Sequence, residues 1–183
     1  MTDRSITRLA LEAIGAAVTE AGIDAVLEAY VAELELELRT APPDDYRVHP
    51  GVEQAIDAAR ERGLALGLGT GNVVAGAKLK LEHVNLYRHF SFGGFGSDHE
   101  LRVELIRKGA ERGAAKLGQP LAECRVLVIG DTPKDVDAAR GIGAESLGVG
   151  TGSFGAEELR AHGATYAFDD LAAPGALLAL LGD

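Results

Sequence analysis

The chain has 183 residues, 46% of them hydrophobic, and carries 28 acidic against 18 basic side chains, a net charge of −10. That length supports one good core, or one core with a small helical appendage, and the acidic balance disfavours nucleic acid and anionic membranes, which reward clustered Lys and Arg. No basic-then-apolar leader follows Met1, no apolar run approaches about eighteen residues, and the single Cys124 rules out an internal disulfide, so a reducing cytoplasm is the expected setting.

Residues 5–39 read as helical. Apolar residues recur at spacings of three and four through Ile6, Leu9, Ala10, Ile14, Ala17 and Val18, then resume through Val26, Tyr30, Val31, Leu34 and Leu38. Gly22-Ile23-Asp24 is the expected break between two helices, with Asp24 as N-cap. Residues 41–47 are a linker by composition, Ala-Pro-Pro-Asp-Asp-Tyr-Arg. The expected division is therefore a helical unit at 1–40 and a core at 48–183.

The core opens with a helix from His49 to about Arg62, with Pro50 near its first turn, where a missing N–H costs nothing. Leu64–Gly69 is a short buried strand and Val73–Val84 a helix. Phe90–Phe95 is irregular or a short strand, and Leu101–Leu117 a long helix. Arg125–Ile129 is a buried strand with Cys124 packed at its start. Pro133–Gly141 is a helix, Ser146–Val149 a strand, Gly155–His162 a helix and Tyr166–Phe168 a last strand. The apolar tail Leu171–Leu181 is broken by Pro174 and Gly175. Strands alternating with helices imply an α/β fold, a Rossmann-like three-layer parallel sheet covered on both faces.

Two motifs stand at strand ends, where open α/β sheets bind ligands. Val126-Leu127-Val128-Ile129 runs into Gly130-Asp131, and Asp135 follows on the loop or first helical turn beyond. Two carboxylates on so short a turn suit a hard divalent cation such as Mg²⁺. Leu64–Gly69 runs into Thr70-Gly71-Asn72. A hydroxyl and free backbone N–H groups just ahead of a helix can hold a phosphate.

Gly130-Asp131-Thr132-Pro133-Lys134-Asp135, preceded by Thr70-Gly71-Asn72, resembles the motifs of the haloacid dehalogenase-like (HAD) hydrolases, most of which are phosphatases. The resemblance covers essentially the whole chain. It implies a partial helical cap at 1–40, Mg²⁺ held by Asp131 and Asp135, and phosphate held by Thr70 with the amides of Gly71 and Asn72. The family also needs a cation beside the phosphate, commonly from a Lys-Pro pair that is absent here. Lys78 and Lys80 after Thr-Gly-Asn, and the run Phe92-Gly93-Gly94-Phe95-Gly96-Ser97-Asp98, resemble a phosphoglycolate phosphatase-like subgroup. By that resemblance Lys80 is the expected basic residue, ahead of Lys78 and Arg102. The partner it implies is a small phosphorylated metabolite.

The family's nucleophile, an Asp-x-Asp-Gly-Thr on the first strand, has no counterpart. Asp135-Val136-Asp137 is the sole Asp-x-Asp in the chain. Met1–Ser5 resembles a point inside the family's cap. The chain thus looks like a member without its first few dozen residues. An internal Met taken as the start, a truncated gene, or a non-enzyme whose gap a partner fills would each produce this. A phosphoaspartyl intermediate needs an in-line carboxylate, so these 183 residues are expected to be inactive. In the family the missing strand lies between those ending at Thr70 and Gly130. Its absence is expected to leave two open edges that invite self-association.

The rival reading is a dinucleotide site: Gly150-Thr151-Gly152-Ser153-Phe154-Gly155 fits G-x-G-x-x-G, with Asp169 19 residues after Gly150. Too little chain follows to complete such a fold, and a glycine-rich loop bordering the Asp131 site explains the pattern better. Asp98-His99-Glu100 reads as a solvated loop rather than a metal site. The five His residues form no ligand spacing.

Overall fold

A computed structural model describes residues 1–42 and 45–182. The expected linker at 41–47 therefore includes two residues, Pro43 and Asp44, that lie outside the described residues. Two helices lead the chain: α1 (Asp3–Ala13) and α2 (Glu20–Thr40). There follow α3 (Val52–Glu61), β1 (Leu68–Thr70), α4 (Val74–His83), β2 (Gly93–Phe95), α5 (Arg102–Leu117), β3 (Leu127–Gly130), α6 (Pro133–Gly141), β4 (Glu145–Val149), α7 (Ala156–Ala161), β5 (Tyr166–Phe168) and α8 (Ala176–Leu181).

All strand pairing among the described residues is parallel, and it falls into two sheets, β1-β2 and β3-β4-β5. Side chains alternate across each strand, which sorts the core into layers. Leu147 of β4, wholly buried, packs with Ala55 and Ala59 of α3 and with Ala179 and Leu180 of α8, and Leu127 leans on the same cluster. Val128 points the other way, into Leu105 and Ile106 of α5 and Ala138 and Ala139 of α6. Val136, Leu159, Ala164 and Ala167 extend that second layer beneath β5. The result is the expected three-layer α/β arrangement.

Helix α5 spans both sheets. Ile106 lies in the cluster with Val128, and its Cδ1 stands 2.4 Å from where a Cβ on Gly69 of β1 would be. No ladder joins β1 to β3 among the described residues, so each presents an open edge toward the other sheet. Ile129, expected in a buried strand, is 41% exposed and lines an open cavity with His49, Val149 and Leu171.

Several sequence expectations are corrected. The break between the first two helices falls at residues 14–19, not at Gly22. Thr19, rather than Asp24, caps α2, its hydroxyl accepting from Gly22 N at 3.0 Å. A hydroxyl at that point captures an orphan N–H of the first turn, and Gly22 is absorbed there. Ile6 and Leu9 of α1 and its C-cap Ile14, apolar residues at helical spacing, are 52%, 51% and 77% exposed. The helix docks instead through its polar side: Thr7 is buried, Arg4 pairs with Glu20 and Asp24, and Arg8 bridges Glu20 and Glu100. Pro50 precedes helix α3, whose N-cap is Gly51 at φ +82°. That glycine is required, because a Cβ there would stand 2.2 Å from the backbone of Leu171 and Ala172. Cys124 lies ahead of β3, half-buried, with Sγ 3.4 Å from the carbonyl of Pro120. The apolar tail is broken at Pro174-Gly175 as expected, and beyond the break the six-residue α8, N-capped by Gly175, buries Ala176, Ala179 and Leu180. No described helix is long and apolar enough to cross a membrane.

Candidate active site

Strand β3 delivers Asp131 at its carboxyl end, and α6 starts at once, with Thr132 as N-cap and Pro133 in its first turn. Asp135, 3% exposed, folds back under this turn. Its Oδ2 accepts from the backbone N–H of Thr132 at 3.1 Å and from the Thr132 hydroxyl at 2.7 Å. Its Oδ1 accepts from Arg102 at 2.6 Å. Gly130 makes this possible, since a Cβ there would stand 2.3 Å from the Asp135 carboxyl carbon.

Asp131 is in the opposite situation. Among the described residues its carboxylate has neither a hydrogen-bond nor an ion-pair partner, and it opens on a cavity of about 270 Å³ lined also by His49, Ile129, Val149, Thr151 and Leu171. A Cβ on Gly152 would sit 2.2 Å from Asp131 Oδ2. The glycine-rich loop after β4 therefore serves close approach to this carboxylate. That accounts for Gly152 without a dinucleotide. Gly150 lies against Ala156 and Asp169, and Gly155 merely precedes the six-residue α7.

The Thr70 turn follows β1 in the other sheet. The Asn72 N–H donates to Thr70 Oγ1 at 3.1 Å, which leaves the Thr70 O–H free to donate elsewhere. The first residues of the chain pack on the ends of β1 and β2. The Met1 carbonyl and Thr2 pack on Gly71, and Thr2 packs also on Gly96. The Met1 ammonium lies in the field of Lys134, Arg102 and Asp135. Its pKa is lowered first by desolvation and then by Lys134 and Arg102, with Asp135 opposing. Met1 thus packs against Gly71 of the Thr70-Gly71-Asn72 turn, and its ammonium feels the charges around Asp135.

The three expected basic residues lie in different places. Lys80 of α4 reaches over the Tyr30 ring of α2, 5.9 Å from its centroid, and Lys78 sits exposed beside Glu82 at 3.7 Å. Neither has a contact with Asp131, Asp135 or Thr70. Arg102, ranked third, is the cation in the cluster. Spacing from Thr-Gly-Asn favoured α4, but its second turn faces the leading helices; the first turn of α5 faces the end of β3. Lys134, quoted within the acidic motif but not singled out, stands exposed at the same place.

Asp98 is no ligand in waiting. It accepts from Phe95 N at 2.9 Å and takes both terminal nitrogens of Arg112 at 2.7 Å, tying the end of β2 to α5. His99 Nδ1 accepts from Leu101 N, and Glu100 holds Arg8. Among the described residues no group of three or more His, Cys, Asp or Glu could hold a metal ion. The donor chemistry still fits Mg²⁺ in kind: it uses one or two carboxylates and keeps waters and phosphate oxygens for the rest. Asp131 has the open oxygens. Asp135, with both oxygens engaged, is placed to orient the turn.

A model of the haloacid dehalogenase-like hydrolases matches residues 3–143. Three solved structures share the fold. A hydrolase from Pseudomonas syringae is 21% identical, with TM-score 0.67, over 94% of this chain and 75% of that one. A predicted phosphatase from Clostridium acetobutylicum is 20% identical, with TM-score 0.55, over 89% and 83%. Protein tyrosine kinase A of Mycobacterium tuberculosis is 23% identical, with TM-score 0.53, over 94% and 75%. No functionally curated protein matches the chain.

Proposed function

The chain belongs to the haloacid dehalogenase-like hydrolases, and from that premise we propose that its 183 residues form the phosphate- and Mg²⁺-holding part of a phosphatase acting on a small phosphate monoester. The observation that supports this is the Asp131 carboxylate at the end of β3, open on a cavity and without a partner among the described residues, next to Asp135 held by Arg102 and Thr132. Thr70 donates its O–H to a phosphate oxygen, and the amides of the turn add dipoles. Asp131 supplies the open carboxylate for Mg²⁺, a hard cation that would bridge to the phosphate and offset its charge. Arg102 takes the role first expected of Lys80, holding Asp135 and adding positive charge beside the phosphate position. A phosphoglycolate-like substrate rests on the subgroup resemblance of Phe92–Asp98.

None of these residues can attack phosphorus in line. The sole Asp-x-Asp, Asp135-Val136-Asp137, is committed elsewhere: Asp135 to Arg102 and Thr132, Asp137 to Arg140 and His162. These 183 residues by themselves therefore bind phosphate without turning it over. Hydrolysis of p-nitrophenyl phosphate with Mg²⁺ tests this. The expected rate equals the buffer blank, and Mg²⁺-dependent turnover that disappears in Asp131→Asn would refute it.

A second reading, a non-catalytic binding module, is favoured by the open edges of β1 and β3 and by the exposure of Ile129. Unpaired strand edges accept another strand, so pairing with a second copy or a partner belongs to this reading. Size-exclusion chromatography with light scattering distinguishes a self-associated chain from a monomer.

A further inference from the structure

Asp3 is placed in a way its own helix does not require. As the first residue of α1 it would ordinarily face water and favour the dipole of that helix. Instead its Oδ2 accepts from the backbone N–H of Val73 at 2.8 Å, and Asn72 Nδ2 donates to its two oxygens at 3.0 and 3.3 Å. Its own N–H donates to the Gly71 carbonyl at 2.8 Å. Val73 is the N-cap residue of α4, and its side chain cannot cap. Asp3 supplies from another helix the acceptor that the start of α4 lacks.

The contacts fall on successive residues of one turn. Gly71 is held by its carbonyl, Asn72 by its side-chain amide and Val73 by its N–H. Asn72 in turn donates its backbone N–H to Thr70 Oγ1. With that lone pair engaged, the Thr70 O–H is directed to some other acceptor. The anchor is itself firm: Thr2 is 1% exposed, Thr2 N donates to Ser5 Oγ at 3.0 Å, and Ser5 N donates to Thr2 Oγ1 at 3.2 Å.

We infer, resting on the function proposed above, that Asp3 is a positioning residue for phosphate binding, acting through Asn72 to aim the Thr70 hydroxyl. The leading helices then do more than cover the site, because α1 carries the residue that sets the geometry of the phosphate turn.

Calorimetric titration of the full chain with inorganic phosphate in the presence of Mg²⁺ tests this. The variants are Asp3→Ala, Asp3→Asn and Arg8→Ala. The last breaks the ion pairs of α1 with Glu20 and Glu100 through Arg8 without touching the turn. Loss of hydrogen bonds to a charged acceptor predicts phosphate binding weakened roughly fivefold to tenfold in Asp3→Ala. Asp3→Asn, which keeps one acceptor oxygen for Val73, falls between and carries the test should Asp3→Ala fail to fold. Arg8→Ala binds phosphate as the unaltered chain does, although its melting temperature drops. Unchanged affinity in a folded Asp3 variant would overturn the inference while leaving the proposed function intact, and so would equal weakening in Arg8→Ala. No phosphate binding by the unaltered chain would overturn the proposed function, and this inference with it.

Discussion

Arg102 directs two nitrogens, Nε and a terminal Nη, at a single oxygen of Asp135, each at 2.6 Å, while the other oxygen of Asp135 takes the Thr132 hydroxyl. Asp135 is nearly buried and Arg102 only partly so. Removing the guanidinium strands a carboxylate with one side of its hydrogen bonding unmet. Arg102→Ala is therefore expected to cost about 2–3 kcal/mol, below the full figure for a wholly buried pair because Arg102 reaches solvent. Lys80→Ala loses a half-exposed contact with Tyr30 and should cost under about 1 kcal/mol. Urea unfolding of both variants checks the order, and equal losses would contradict the reassignment of the basic residue.

Gly152 is predicted to matter for metal and little for folding. An added Cβ meets the Asp131 carboxylate at 2.2 Å, and a carboxylate can swing aside at modest cost. Gly152→Ala should leave the melting temperature within a few degrees of the unaltered chain, yet weaken Mg²⁺ binding by roughly the tenfold that about 1.4 kcal/mol of misplacement gives. Calorimetric Mg²⁺ titration reads this directly.

Gly94 is the opposite case. A Cβ there would fall 1.7 Å from the carbonyl oxygen of Leu105, a backbone atom of α5 that cannot step aside. Gly94→Ala should cost roughly 3 kcal/mol or more, at the upper end for overpacking, and circular dichroism on heating would show the loss. Together with Gly109, whose N lies 3.0 Å from that same added Cβ, Gly94 sets how closely β2 sits on α5.

Much of this was legible from the residues. The apolar run before Asp131, the turn after Thr70, and the alternation of helix and strand each follow local rules of pattern and capping, and the structure has them, although the first strand is Leu68–Thr70 rather than a buried Leu64–Gly69, and Leu64 is 42% exposed. Three kinds of feature were not legible. The docking face of α1 was not legible, because its apolar residues at helical spacing face outward while ion pairs fasten its inner side. The choice between Lys80 and Arg102 depends on which helix faces the end of β3, which is a matter of packing between distant segments. Helix α8 was hidden by Pro174 and Gly175, residues that usually break a helix but here precede and cap it. Asp3 gave no signal, since an acid at a helix start is ordinary; only Asn72 and Val73, some seventy residues away, give it a role.

The Asp98–Arg112 pair predicts an acid dependence. Hydrogen bonds from Arg112 first, then from Phe95 N, hold the Asp98 carboxyl below its ordinary pKa of 3.8, against desolvation. A lowered native pKa means that the unfolded chain binds the proton first as pH falls. The stability contributed is complete above the ordinary pKa and is lost as pH drops below 3.8. The melting temperatures of the unaltered chain and Asp98→Asn should therefore differ at neutral pH and converge on acidification through that range.

The account stands on one spatial claim, that the Thr70 turn and the Asp131 turn flank one phosphate position. A ¹H–¹⁵N correlation titration with inorganic phosphate and Mg²⁺ tests it most directly. The predicted result is that the amides of Gly71 and Asn72 and those of Asp131 and Thr132 shift together, with one dissociation constant, and that Asp131→Asn weakens both sets. Shifts confined to one turn, or two sets that saturate independently, would contradict it.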